Sequence, residues 1–195
     1  MAPAITLSAI RQALSTHVPE RMPEMGRPAA VLVPLFEREG RVFVLLTKRT
    51  EDLSSHAGQI AFPGGKRDEG ESEPRVTALR EAQEEIGLDP RAVEIIGELD
   101  DCPTFVTNFV ISPVVGIIPD RYSFTPNTGE IQFLIEAPLD DFLLPGTLRT
   151  ETRQRGEFTV ELLYYSVVGQ IVWGATARIL TGLFSRLGIP VEMNP

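Results

Sequence analysis

An α/β (α+β) fold built on a mixed β-sheet is what the sequence predicts, on three observations. β-prone and helical runs are interspersed along the 195 residues. They follow no regular strand–helix–strand rhythm. One segment, Pro74 to Ile86, has a clear helical signature, with Pro74 in the first turn, where a missing N–H does no harm, and Gly87 as the cap.

The elements follow in order. Ile5 to His17 carries weak helical periodicity through Ile5, Leu7, Ile10, Leu14 and Val18. A loop rich in Pro, Met and Glu runs from Pro19 to Pro28, so residues 1–28 read as an N-terminal helix-and-loop extension and 29–190 as the main domain. Ala29 to Phe36 and Arg41 to Thr47 are β-prone runs joined by the turn Glu37–Gly40, a predicted hairpin. Thr50 to Ala57 is a polar loop. Gln59 to Phe62 is a short strand stopped by Pro63-Gly64-Gly65, and Lys66 to Ser72 is a charged loop. Beyond the helix, Val93–Leu99, Val110–Ile118, Glu130–Ile135 and Phe158–Tyr165 are strand candidates, and Pro138–Leu144 is a short helix or turn. Ile171–Leu187 reads as a helix with Ile171, Ala175, Ile179, Leu183 and Leu187 on one face. There is no internal repeat and no low-complexity tract.

Composition narrows the function classes. A 43% hydrophobic and 23% charged chain is composed like a folded protein. Its one cysteine, Cys102, has no partner for an internal disulfide and reads as a small buried thiol. The N-terminus lacks the basic-then-apolar layout of a signal peptide, and no apolar run approaches the ~20 residues of a membrane span. A cytoplasmic protein with no membrane partner is expected. The net charge of −9 argues against a general nucleic-acid binder, but not against a small anionic substrate. Divalent metals and a few local cations reverse the field inside one cleft.

The chemistry lies on the Pro74–Ile86 helix. At ~100° per residue, Val76, Leu79, Gln83 and Ile86 fall on one side and Glu81, Glu84 and Glu85 on the other. An acidic face on an amphipathic helix is ordinarily a solvated one. Two features say more. Three like charges on adjacent turns repel, at ~1 kcal/mol per pair in water and several times that at protein-like dielectric. Only Arg80, four residues before Glu84, stands close enough in sequence to offset them. The helix also follows a strand ending in Gly64-Gly65, where the backbone can turn sharply and approach a ligand. Hard divalent cations take oxygen ligands from a couple of carboxylates, water and phosphate. A carboxylate cluster beside an arginine is apparatus for hydrolysing a diphosphate.

These residues resemble a known signature. Gly65 to Leu88 looks like the Nudix box, and its second half, Arg80-Glu81-Ala82-Gln83-Glu84-Glu85-Ile86-Gly87-Leu88, matches at every required position. The loop from Gly65 to Arg80 is one residue longer than the general pattern. Glu71 is thereby one residue too far from Arg80, with Asp68 and Glu69 as substitutes for its supporting role. Upstream, Leu45-Leu46-Thr47-Lys48-Arg49-Thr50 and Ser55-His56-Ala57-Gly58-Gln59-Ile60-Ala61-Phe62-Pro63-Gly64-Gly65 look like the motif that precedes the box in coenzyme A pyrophosphatases. Thr50 stands where serine is usual and Ser54 where arginine is common. Ser112-Pro113-Val114-Val115-Gly116 and Trp173-Gly174-Ala175-Thr176-Ala177-Arg178 are softer matches.

The resemblance implies an α/β/α sandwich. It implies Mg²⁺- or Mn²⁺-dependent cleavage of coenzyme A or its derivatives to 4'-phosphopantetheine (or its acyl form) and adenosine 3',5'-bisphosphate. Glu81 and Glu85 carry over as metal ligands, Glu84 as third ligand or base, and Arg80 as an orienting residue; similarity to the family alone suggests a homodimer. Some Nudix enzymes recruit a late-loop glutamate, and Glu130 is the candidate. Arg49, His56, Gly64, Gly65 and Lys66 are the candidate substrate contacts. Lys48 and Arg49 follow a strand, so alternation sends them to opposite sides. Trp173 is expected to pack within a helix rather than to stack on a base. The rival readings are hydrolysis of another nucleoside diphosphate derivative such as ADP-ribose, and a non-catalytic ligand-sensing domain of the same fold.

Overall fold

Two chain segments, residues 27–38 and 109–117, lie side by side in parallel, and the main sheet grows from that pair. The computed structural model describes residues 5–22, 25–51, 58–104, 107–155 and 158–191. Most of the predicted polar loop Thr50–Ala57, with Ser54 and His56, lies outside the described residues.

In chain order the elements are α1 (Leu7–Ser15), β1 (Arg27–Arg38), β2 (Arg41–Arg49), β3 (Ile60–Ala61), β4 (Gly64–Lys66), α2 (Pro74–Ile86), β5 (Glu94–Glu98), β6 (Cys102–Pro103), β7 (Phe109–Ile117), β8 (Ile131–Pro138), β9 (Leu148–Arg155), β10 (Phe158–Val167), β11 (Gln170–Trp173) and α3 (Gly174–Arg186). Short 3-10 turns cover Pro90–Ala92 and Leu139–Leu143. The main sheet runs β3-β2-β1-β7-β5, with β4 on β1, β6 on β7 and β8 on β2. β1 and β7 are parallel and the other pairs antiparallel, so the sheet is mixed, as expected. β9, β10 and β11 form a second, antiparallel sheet.

Alternation along β1 and β2 builds two cores. Ala30, Leu32, Phe36 and Leu45 face α2, where Ala78, Ala82 and Ile86 meet them. Val33, Leu35, Val44 and Leu46 face the other way, onto a larger core that takes in Ile10 and Leu14 of α1, Tyr165 and Val172 of the small sheet, and Leu180, Leu183 and Phe184 of α3. The result is a sandwich with helices on both faces of the main sheet.

Four expectations change. The helix predicted over Ile171–Leu187 begins only at Gly174, because Gln170–Trp173 pairs with β10 and Gly174 turns the chain at φ +66°. Trp173 therefore sits on a strand and is 39% exposed, not packed inside a helix. Val18 lies beyond α1 and is 86% exposed. The apolar face assigned to α2 is also displaced. Val76 is 46% exposed and Gln83 is exposed, while Thr77, Ala78, Ala82, Glu85 and Ile86 are buried. Small side chains let the helix lie close to the sheet, and that closeness turns Glu81 and Glu85 toward it.

α1 packs into the larger core, with Ile10 fully buried. Ile10→Ala is expected to destabilise the protein by about 2–5 kcal/mol in urea unfolding. An unchanged midpoint would show α1 to be an appendage.

Candidate functional site

The site forms where α2 passes closest to the sheet. A Cβ on Gly65 would meet the Glu81 carboxylate at 2.5 Å, and one on Gly64 would meet the Ala30 carbonyl oxygen at 2.5 Å. Gly65 lets α2 lie this near β4, and Gly64 lets β4 lie this near β1. The Gly64 N–H donates to Glu85 Oε2 at 3.1 Å. From the far side Arg49 Nη1 reaches Glu85 Oε1 at 3.2 Å. Arg49 Nη2 stands 3.9 Å from Glu130 Oε2. Glu130 precedes β8, in a turn where Asn127 Nδ2 donates to its Oε1 at 3.3 Å. Burial pushes the Glu85 carboxyl up to about 7, against the pull of the Gly64 N–H and Arg49; Glu81 and Glu130 add to the rise.

Arg80 holds the other half of the site. Its Nε donates to Glu71 Oε1 at 2.8 Å, and its Nη1 to Glu81 Oε1 at 2.9 Å and Glu84 Oε2 at 3.1 Å. Its Nη2 donates to the Lys66 carbonyl at 3.1 Å. Burial raises the pKa of Glu81 despite this bond to Arg80. Glu84, with its side chain 59% exposed, stands at the open rim.

Glu71 is where the structure corrects the sequence reading. The long loop does not put it out of reach: the Glu71 N–H donates to the Asp68 carbonyl at 3.2 Å, and this turn takes up the extra residue. Glu71 Oε2 also accepts from Thr77 Oγ1 at 2.6 Å and from the Asp68 N–H at 3.0 Å. Asp68, the suggested substitute, stands 3.5 Å from Arg80 Nη2 on an exposed side chain. The Arg80 guanidinium, helped by Thr77 and the Asp68 N–H, holds the Glu71 carboxyl down at about 2. Thr77 went unnoticed in the sequence, although it lies six residues after Glu71.

The structure thus brings Arg49, Gly64, Gly65, Arg80, Glu81, Glu84, Glu85 and Glu130 into one neighbourhood. Lys66 contributes its carbonyl, and its side chain is exposed. His56 lies outside the described residues. Arg49 faces the carboxylates, while Lys48 points to the other side of β2, as alternation requires.

As they stand, the described residues gather no three acidic, histidine or cysteine side chains closely enough to hold a metal ion. Each carboxylate is instead drawn to an arginine. The donor set nonetheless fits a hard divalent cation, since Mg²⁺ is ordinarily held by one or two carboxylates plus water and substrate oxygens. Glu81 and Glu85, one helical turn apart on the buried side of α2, are that pair, and burial disfavours the charge of both. Arg49 Nε is buried with no hydrogen-bond partner among the described residues, an unmet donor beside the carboxylates.

Comparisons place the chain among known proteins. A family profile described as NUDIX domain matches residues 26–157. Nudix hydrolase 22, chloroplastic, of Arabidopsis thaliana is 38% identical over 182 residues, covering 87% of this chain and 59% of the plant protein. The chain therefore spans about three fifths of that relative's length. The uncharacterized Nudix hydrolase NudL of Citrobacter koseri is 40% identical over 165 residues, 84% of each chain. A solved structure of a MutT/nudix family protein from Enterococcus faecalis is similar with a TM-score of 0.57 over 89% of this chain and 66% of that one, at 17% identity, a likeness of fold.

Because the Glu71 carboxyl is held below its ordinary value of 4.5, its stabilising contribution is present above that pH and fades as the pH falls toward about 2. Glu71→Gln is expected to lower the melting temperature most near neutral pH, with the gap to the wild type closing below pH 4.5. A gap independent of pH would show that the carboxylate's charge does not matter.

Proposed function

The chain belongs to the NUDIX domain family, and on that premise we propose that it is a metal-dependent pyrophosphohydrolase that splits the diphosphate of coenzyme A or its derivatives. The observation that carries the hydrolytic reading is the buried Glu85 carboxylate, lodged between the Gly64 N–H and Arg49 and one turn from Glu81. A helix whose acids only faced water would have no reason to bury one. The motif from Leu45 to Gly65, with its resemblance to coenzyme A pyrophosphatases, supports the choice of substrate.

The chain's own groups divide the task. Glu81 and Glu85 would hold a divalent cation, Mg²⁺ or Mn²⁺, with Glu84 at the rim as third ligand or base. Bound there, the cation would neutralise the diphosphate, orient its groups in line and acidify a bound water. Arg80 fixes Glu81 and Glu84 through bonds that Glu71 anchors from behind, so the carboxylates keep their geometry without substrate. Arg49 offers its free Nε to a phosphate oxygen. Glu130, 3.9 Å from Arg49 Nη2, would accept a proton from an attacking water on the exposed side. The products are 4'-phosphopantetheine, or its acyl form, and adenosine 3',5'-bisphosphate.

In assays with matched Mg²⁺ or Mn²⁺, coenzyme A is expected to show a kcat/KM at least about tenfold above that of ADP-ribose, a selectivity worth about 1.4 kcal/mol. The reverse order would pass the site to another nucleoside diphosphate derivative. Glu84→Gln and Glu85→Gln are each expected to lower turnover by on the order of a hundredfold or more. Glu85→Gln should do so without loss of metal-free stability, because it removes a charge that burial disfavours. Full turnover in both variants would remove this helix from the chemistry.

A further inference from the structure

The outer face of the small sheet carries a row of side chains that the proposed reaction does not use. Tyr164 on β10 is the cross-strand partner of both Arg149 on β9 and Trp173 on β11. The Arg149 guanidinium lies 4.5 Å over the Tyr164 ring. The Tyr164 and Trp173 rings are nearly parallel, 16° apart in plane with centroids 6.2 Å apart. The other face of the same strands sends Leu148, Tyr165 and Val172 into the core. A ladder of this kind stabilises a sheet by itself, but two observations ask more of it.

First, the row lines a groove of about 460 Å³ together with Lys48 at the end of β2, Gly58, and Ile60 at the start of β3. That volume lies in the range of small-ligand sites. Second, in a chain of net charge −9, the charged side chains that line the groove are two cations, Lys48 and Arg149, with the Glu51 carboxylate against Gly58 and Glu151 beside Tyr164 at its edge. Arg38, Arg41, Arg80 and Arg186 are all ion-paired. Lys48 and Arg149 have ring contacts with Phe133 and Tyr164 and form no ion pair among the described residues. Glu151, which feels the charge of Arg149 and the Tyr164 hydroxyl, is held chiefly by Arg153 at 2.9 Å. An exposed indole and two cations lining one groove suit a planar ring that carries a phosphate.

The groove also adjoins the carboxylate site. Lys48 and Arg49 are chain neighbours with Cα atoms about 3.8 Å apart. One points into the groove and the other to Glu85. We propose that the groove binds the phosphorylated nucleoside end of the substrate, its base stacked on Trp173 and its ribose phosphate held between Lys48 and Arg149, while the diphosphate crosses the end of β2 to the carboxylates. This inference rests on the reading of the chain as a hydrolase of a nucleotide-linked diphosphate, and it makes Lys48, Arg149 and Trp173 specificity residues rather than catalytic ones.

Trp173 is the chain's single tryptophan, so its fluorescence reports on the groove alone. The full chain, free of metal, is titrated with adenosine 3',5'-bisphosphate, and inorganic phosphate serves as the control. Saturable quenching is expected with the bisphosphate and none with phosphate. Lys48→Ala and Arg149→Ala are expected to weaken that binding about tenfold or more, as loss of a charged hydrogen bond does, with folding checked by circular dichroism and Lys48→Arg restoring most of it. In coenzyme A hydrolysis the same two variants should raise KM by more than they lower kcat. Absence of quenching, or quenching unchanged in Lys48→Ala and Arg149→Ala, overturns the proposal. So does a tryptophan signal that answers to dilution and not to ligand, which gives this face to a second copy of the chain. Coenzyme A turnover with no quenching and an unaltered KM in Trp173→Ala rejects the groove and leaves the hydrolase standing. Quenching without coenzyme A turnover supports the groove and rejects that substrate.

Discussion

A carboxylate placed against the main sheet, with a backbone N–H on one side and an arginine on the other, is the constraint to which the neighbouring structure answers. Glu85 can sit there only if α2 lies close to β1 and β4. Closeness calls for small groups on both sides: Ala78 and Ala82 on the helix and Gly65 on β4, with Gly64 letting β4 sit tight against β1. The same approach turns Glu81 inward, one turn earlier. Burial then raises the pKa of both carboxyls, because the positive charge nearby does not offset their desolvation. A divalent cation between them is the simplest remedy that physical chemistry offers.

The two arginines share the negative charge in different ways. Arg80 spends all three guanidinium nitrogens on fixed partners, so it acts as a rigid brace. Arg49 is left with a buried Nε that has no partner among the described residues, a poor arrangement for stability and a good one for binding an anion. Rigidity at one end and an unmet donor at the other suit a site that must hold its carboxylates still while its ligand comes and goes.

Much of this was legible in the sequence. The span of α2, its N-terminal proline and its glycine cap follow from local rules, and the acidic trio follows from spacing. The role of Glu71 was hidden because residue counting treats a loop as a ruler, whereas the Asp68–Glu71 turn shortens it. The buried side of α2 was misplaced because hydrophobicity favours Val76 over Ala78, while close packing favours the smaller side chain. β9 left no signal: Leu148–Arg155 is polar along most of its length and is held by pairing with β10. Trp173 was assigned to a helix because an apolar run of that length reads equally well as the strand and turn that precede one.

Glu81, half-buried, and Glu85, buried, are proposed to bind a cation even without substrate. Titration of the resting protein with Mn²⁺, followed by electron paramagnetic resonance, reads it directly. Saturable binding by the wild type, weakened at least about tenfold in Glu81→Gln and Glu85→Gln, is the predicted result, since each variant removes one charged ligand. Equal affinity in all three proteins would contradict it and place the metal elsewhere.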